Sequence, residues 1–164
     1  MRKQILFRMI AWAAVVLWMA VIFGFSAQPA AESSSVSDPF TDAWIALFHP
    51  DYDSLPPEEQ FDLHESASFI VRKIAHGTVY AVLGVLLTSA LSLDRPSGKA
   101  CAFAVPLAVL YAVSDEFHQT LVPGRSGQIR DVLIDTGGAL AGALLTVAVI
   151  RIAKSCRKGK RPRG

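Results

Sequence analysis

The stretch SDEFHQTLVPGRSGQIRDVLID, Ser114 to Asp135, gathers Asp115, Glu116, His118, Gln119, Arg125, Arg130, Asp131 and Asp135 within a chain that is half hydrophobic. A second polar set, Lys73, His76 and Tyr80 in VRKIAHGTVY, recurs at spacings of three and four and so falls on one helix face. These types suit acid-base work on a phosphorylated or acylated ligand. His76 or His118 can serve as general base or acid, with Asp115, Glu116 or Asp131 orienting the imidazole. Arg125, Arg130 and Lys73 offer planar donors and a point charge for a phosphate, and can stabilise negative charge developing in phosphoryl or acyl transfer. Tyr80, Gln119 and Asp135 complete the binding set. No nucleophile signature accompanies them: Ser114 and Ser126 are near only in sequence, and loop serines more often cap helices or form turns.

His76, Asp115, Glu116, His118 and Asp131 are also metal-ligand types. No HExxH spacing occurs, however, and the neighbouring Arg and Lys residues oppose a cation, so no metal and no cofactor is expected. The competing reading for each residue is an ion pair that pins helices together, such as Lys73 with Asp131 or Arg130 with Asp115. For the group as a whole that reading is weaker, because apolar packing would join the helices without desolvating so many charges.

The elements that must position these side chains follow from hydropathy. With 164 residues, 52% of them hydrophobic, and a positive mean hydropathy, the chain has room for one domain, 1–164, and suits a membrane better than a soluble core. Met9 to Phe25, Ile74 to Leu93, Ala100 to Val113 and Val132 to Ile150 are apolar or nearly so. The expected fold is therefore all-α, an integral membrane four-helix bundle with helices at about 5–26, 70–93, 99–119 and 129–151. A third helix stopping at Val113 would be only about 21 Å long against a hydrocarbon core of about 30 Å, so Asp115 to Gln119 should continue it. Pro123-Gly124 and Ser126-Gly127 then reverse the chain. Asp131 and Asp135, four apart, share a face of the next helix, and Gly138 and Gly142 form a small-xxx-small pair for close packing. The polar residues thus converge at one end of the second, third and fourth helices. The first stretch has the basic start of a signal peptide, but no A-x-A site follows it, and an uncleaved helix is expected.

Charge asymmetry orients the bundle. Arg2, Lys3, Arg8, Arg95, Lys99 and the basic tail 152–164 belong on the cytoplasmic side, together with both termini. The connection 27–69 carries nine acidic residues and no Lys or Arg, as an extracytoplasmic loop should. Within it SDPFTDAWIALFHP suggests a short helix with Asp38 as N-cap, Pro39 at its first position and Pro50 as its stop. It would lie on the outer membrane surface or pack as a lid over the bundle. LPPEE is turn or helix-entry punctuation. Cys101 and Cys156 belong to different environments and imply no disulfide. The tail is a contact for anionic lipid; it lacks the aromatic residues of a nucleic-acid site, and none is expected as a partner.

KIAHGTVYAVLG (Lys73 to Gly84) and SDEFHQTLVPGRSGQIRDVLIDTGGALAG (Ser114 to Gly142) resemble the two signature blocks of the VanZ-like membrane proteins. FSAQPAAESS resembles the Phe-Ser-x-Gln-Pro stretch that follows the first helix in that family. The resemblance covers most of the chain, and Asp-Glu-x-x-Gln, Val-Pro-Gly-Arg and Arg-Asp in succession are its most specific part. It implies a multi-pass protein of the bacterial inner membrane, of the kind that includes a teicoplanin-resistance factor, in a family known by phenotype more than by reaction. Lys73, His76, Tyr80, Asp115, Glu116, Gln119, Arg125, Arg130 and Asp131 match signature positions. The family commonly has Asn at or just after Asp135, where this chain reads Asp135-Thr136, so the amide's role does not carry over to them.

The expected ligand is an envelope lipid, polyprenyl-linked or an anionic phospholipid, handled at the outer leaflet. If chemistry occurs, it is that of a membrane-embedded transferase or hydrolase acting on a lipid phosphate or acyl group. Other classes are a lipid transporter or flippase subunit, which would need homo-oligomerisation to build a pathway, and a structural or assembly protein.

Overall fold

The structure is a computed structural model that describes residues 2–159; the end of the basic tail, 160–164, lies outside them. The chain forms α1 (Arg2–Ser26), α2 (Ala30–Phe48), a 3-10 turn (Tyr52–Ser54), α3 (Pro57–Ser92), α4 (Ser97–Gln119) and α5 (Ile129–Gly159), with no strand among the described residues. Helices α1, α3, α4 and α5 are each long and apolar enough to cross a membrane. Leu17, Phe103, Leu110, Leu133 and Leu145 are exposed on their outer faces, a surface that suits hydrocarbon and not water. α4 does continue to Gln119, as its short apolar run required.

The connection 27–69 departs from expectation. It is mostly helical: α2 begins at Ala30, so Asp38 is not an N-cap and Pro39 lies inside the helix. The first turn is closed upstream by Ser33 N–H donating to the Pro29 carbonyl at 3.0 Å, and the later turns are held by Thr41 and Ile45, both buried, in a helix that packs on α3. Tertiary packing outweighs the one backbone hydrogen bond that Pro39 removes. α2 does end just before Pro50, at Phe48. The LPPEE stretch starts α3, with Pro57 in its first turn and Glu58 and Glu59 facing the positive end of the helix dipole. At about 1.5 Å per residue α3 is roughly 54 Å long, well beyond a hydrocarbon core of about 30 Å, so one end of it stands clear of a membrane.

Small residues set the packing. The most extensive helix pairing is α3 with α5, and α4 packs against both. A Cβ on Gly142 would lie 2.0 Å from the Ala81 carbonyl oxygen, one on Gly138 2.1 Å from that of Gly77, and one on Gly84 2.1 Å from that of Ala139. The two backbones therefore touch, as helices do in lipid, where van der Waals contact replaces the hydrophobic drive. α4 presents Ala100, Ala104, Ala108 and Ala112, all fully buried at four-residue spacing. α1 is tied on by hydrogen bonds from its indole Trp18 Nε1 to the Val79 carbonyl (2.8 Å) and from the Tyr111 hydroxyl to its Met19 carbonyl (2.6 Å).

On α5 the buried positions Asp131, Asp135, Ala139, Ala143 and Val147 run in steps of four. The two carboxylates therefore lie on the stripe that packs the helix into the bundle, and burial follows from their register.

Candidate functional site

A cavity of about 740 Å³ lies between the end of α1, α2, the middle of α3, the end of α4 and the turn that leads into α5. Its walls are mainly apolar: Phe25 from α1, Val36, Phe40 and Trp44 from one stripe of α2, and Phe69 and Ile74 from α3. Phe25, Val36, Phe40, Phe69 and Ile74 are at the same time exposed, so this wall opens outward. Polar groups line the rest: Arg72, Lys73, His76, Tyr80, Asp115, Gln119, Arg125 and Asp131.

Each polar group is positioned by an element already described. The α3 face carries Lys73, His76 and Tyr80; Lys73 Nζ donates to Asp131 Oδ1 at 2.5 Å, an ion pair with both partners largely shielded, and stands 5.0 Å from the centre of the Phe69 ring. One helical turn deeper, His76 Nδ1 lies 3.5 Å from Asp135 Oδ1, within ion-pair range but without hydrogen-bond geometry. Asp135 is fully buried, and neither of its carboxylate oxygens has a hydrogen-bond partner among the described residues. Asp115 Oδ1 and the Tyr80 hydroxyl are likewise buried without a hydrogen-bond partner among the described residues.

A relay of hydrogen bonds fixes the turn after α4. Glu116 Oε2 accepts the Gln128 backbone N–H (2.8 Å) and Glu116 Oε1 accepts Gln119 Nε2 (3.1 Å). Gln119 Oε1 in turn accepts Arg125 Nη1 (3.1 Å), and Arg125 Nη2 donates to the Phe25 carbonyl at the end of α1 (3.3 Å). Gly124, at φ 74°, takes the left-handed turn that aims Arg125 back under the helices, and a Cβ on Gly127 would meet the Glu116 carbonyl oxygen at 2.7 Å. Burial lowers the pKa of Arg125, while Asp115 and Glu116 nearby raise it; the guanidinium stays cationic.

The sequence-derived residues separate into three groups. Lys73, His76, Tyr80, Asp115, Gln119, Arg125 and Asp131 line the cavity, and Glu116 and Asp135 are buried beside it. His118 does not line the cavity; its ring lies 4.5 Å from that of Phe23 on α1. Arg130 is exposed and does not line the cavity, and no pair with Asp115 forms among the described residues. The reason is register: Arg130 is one residue, about 100° of helix, away from the buried Asp131. Of the two pairings considered from sequence, Lys73 with Asp131 forms.

Arg72 was missed. It lines the cavity half-buried, lies within electrostatic range of Arg125 and has no ion pair or hydrogen bond among the described residues. Its signal in the sequence was its place four residues before His76. The cavity wall on α2 was legible too, as Val36, Phe40 and Trp44 at steps of four.

The model of one protein family, described as VanZ/LLP1, matches residues 11–151 of the chain. No curated protein and no solved structure matches it.

Proposed function

Since the chain belongs to the VanZ/LLP1 family and is a multi-pass membrane protein, we propose that its cavity binds the phosphate-bearing head group of an envelope lipid or lipid-linked cell-wall precursor. The observation that carries this is Arg72: a half-buried cation without an ion pair or hydrogen bond among the described residues, within electrostatic range of Arg125, in a cavity whose open wall is apolar. A phosphate takes the planar donors, and an acyl or prenyl chain takes the wall formed by Val36, Phe40 and Phe69. The acidic connection between α1 and α3 and the basic ends at Arg2, Lys3 and Arg151 to Arg157 favour cytoplasmic termini, which puts the cavity at the outer leaflet of a bacterial inner membrane. α2 then lies at that surface as a wall of the site. Altered handling of such a lipid there is a route to glycopeptide resistance of the teicoplanin type.

His76 at the cavity edge, with Asp135 behind it, is the group placed to move a proton if the bound phosphate or an acyl bond reacts, in a transferase or hydrolase. A flippase subunit or an assembly protein would need the cavity for passage or docking instead.

Native mass spectrometry of detergent-purified protein tests the lipid reading, with wild type beside Arg72→Ala and Arg125→Ala. A phosphate-bearing lipid retained by wild type and lost from both variants is expected. The same lipids on all three, or none on wild type, would remove the basis for the proposal.

A further inference from the structure

One nitrogen of His76 and one carboxylate oxygen each of Glu116 and Asp135 lie within 4.8 Å of one another, although the three residues come from three different helices. From this we infer that the protein holds a divalent metal ion of the manganese or zinc class between α3, α4 and α5, directly behind the cavity.

The donor set is the first argument. Ligands about 2.1 Å from a common ion stand roughly 3 to 4 Å apart, so side-chain adjustments of under an ångström close this group around one ion. One imidazole with two carboxylates matches the borderline preference of Mn²⁺ or Zn²⁺ better than an all-oxygen Ca²⁺ cage or a thiolate site. The second argument is Asp135. Its carboxylate is completely buried, and apart from His76 Nδ1 at 3.5 Å, outside hydrogen-bond geometry, neither oxygen meets a donor among the described residues, a costly state for a polar group that is relieved by a cation or by neutralisation. Asp115, 4% exposed and with Oδ1 without a hydrogen-bond partner among the described residues, is near enough to His76 to feel its charge, and adds a further buried carboxylate.

The third argument is orientation. Glu116 is held from behind by the Gln128 N–H and the Gln119 amide, itself fixed by Arg125, the outer support that metal ligands characteristically receive. Two of the cations that line the cavity are engaged elsewhere. Lys73 is bound to Asp131, and Arg125 donates to Gln119 and to the Phe25 carbonyl. His118, its ring against that of Phe23, is not part of the group.

The site does not depend on the lipid reading, and its test is made on lipid-free protein. Wild type and the variants His76→Ala, Asp135→Asn, Glu116→Gln and Asp62→Asn are stripped with chelator, incubated with Mn²⁺ or Zn²⁺ alone, gel-filtered and assayed for bound metal by elemental mass spectrometry. Wild type and Asp62→Asn, whose carboxylate is exposed outside the cavity, should retain about one ion per chain, with at least tenfold loss in the other three. Metal should also raise the melting temperature of wild type and leave that of Asp135→Asn unchanged, a readout that distinguishes lost ligation from misfolding. Wild type that retains no metal, or variants that retain as much as wild type, would overturn the site whatever happens to lipid retention.

Discussion

Replacing Gly142 by alanine should force α3 and α5 apart. The new Cβ would lie 2.0 Å from the Ala81 carbonyl oxygen; ordinary contact begins at 3.4 Å, so the two backbones must separate by 3.4 − 2.0 = 1.4 Å. The obstructing atom belongs to the backbone of a helix and cannot rotate away, so trimming the partner with Ala81→Gly gives no relief. A gap of this size forfeits much of the dispersion energy across the most extensive helix pairing in the bundle. Against it stands only the better helix propensity of alanine, about 1 kcal/mol. A net loss of about 3 kcal/mol, the upper end of the usual over-packing range, is expected. For a chain of this size that lowers the melting temperature by roughly 6 to 12 °C. Gly137 is the matched control: it lies five residues earlier on the same helix, nothing stands within 4 Å of its Cβ position, and Gly137→Ala should be neutral or slightly stabilising. Thermal melting in one detergent, followed by circular dichroism, compares wild type, Gly137→Ala, Gly142→Ala and Gly142→Ala with Ala81→Gly. If Gly142→Ala melts with Gly137→Ala, or the second substitution restores it, the account of backbone contact is wrong.

Other consequences can be checked in the same background. Lys73→Met alone leaves a buried Asp131 charge without its partner and should cost about 3 to 5 kcal/mol, whereas Lys73→Met with Asp131→Leu should recover most of it; equal melting of single and double variants would show that the pair is not desolvated. Trp18→Phe removes the hydrogen bond to the Val79 carbonyl and should cost about 1 kcal/mol, with no change in retained lipid or metal. Arg125→Lys keeps the charge but loses the planar fork that joins Gln119 to the Phe25 carbonyl, so limited proteolysis should cut the turn between α4 and α5 faster; unchanged cleavage would mean the fork does not hold it. Cys156, exposed near the end of α5, should react with an impermeant maleimide only after the membrane is opened; labelling of intact cells would reverse the proposed orientation.

Much of the site was legible because helix periodicity is local. Lys73, His76 and Tyr80 share the face of α3 that their spacing dictates, and the steps of four from Asp131 to Val147 carry two carboxylates into the bundle. Gly138 and Gly142 are read in the same way, since a small-xxx-small pair in an apolar helix has few other uses. The same reasoning failed where packing between distant segments decides. Pro39 looked like a helix start, yet contact of Thr41 and Ile45 carries α2 through it; Arg130 looked like a site residue, yet the register of α5 turns it outward.

By itself, the sequence determined four apolar spans, the acidic connection between basic ends, and which polar residues share a helix face, all consequences of composition and of a 3.6-residue period. Only the tertiary structure decided which faces meet. Lys73 takes Asp131, which leaves His76, Glu116 and Asp135 together; Arg72 is left facing a cavity; and α2 closes one side of it. These outcomes depend on how closely backbones approach and on how helices from distant parts of the chain are registered against one another, and neither quantity is written in any single segment.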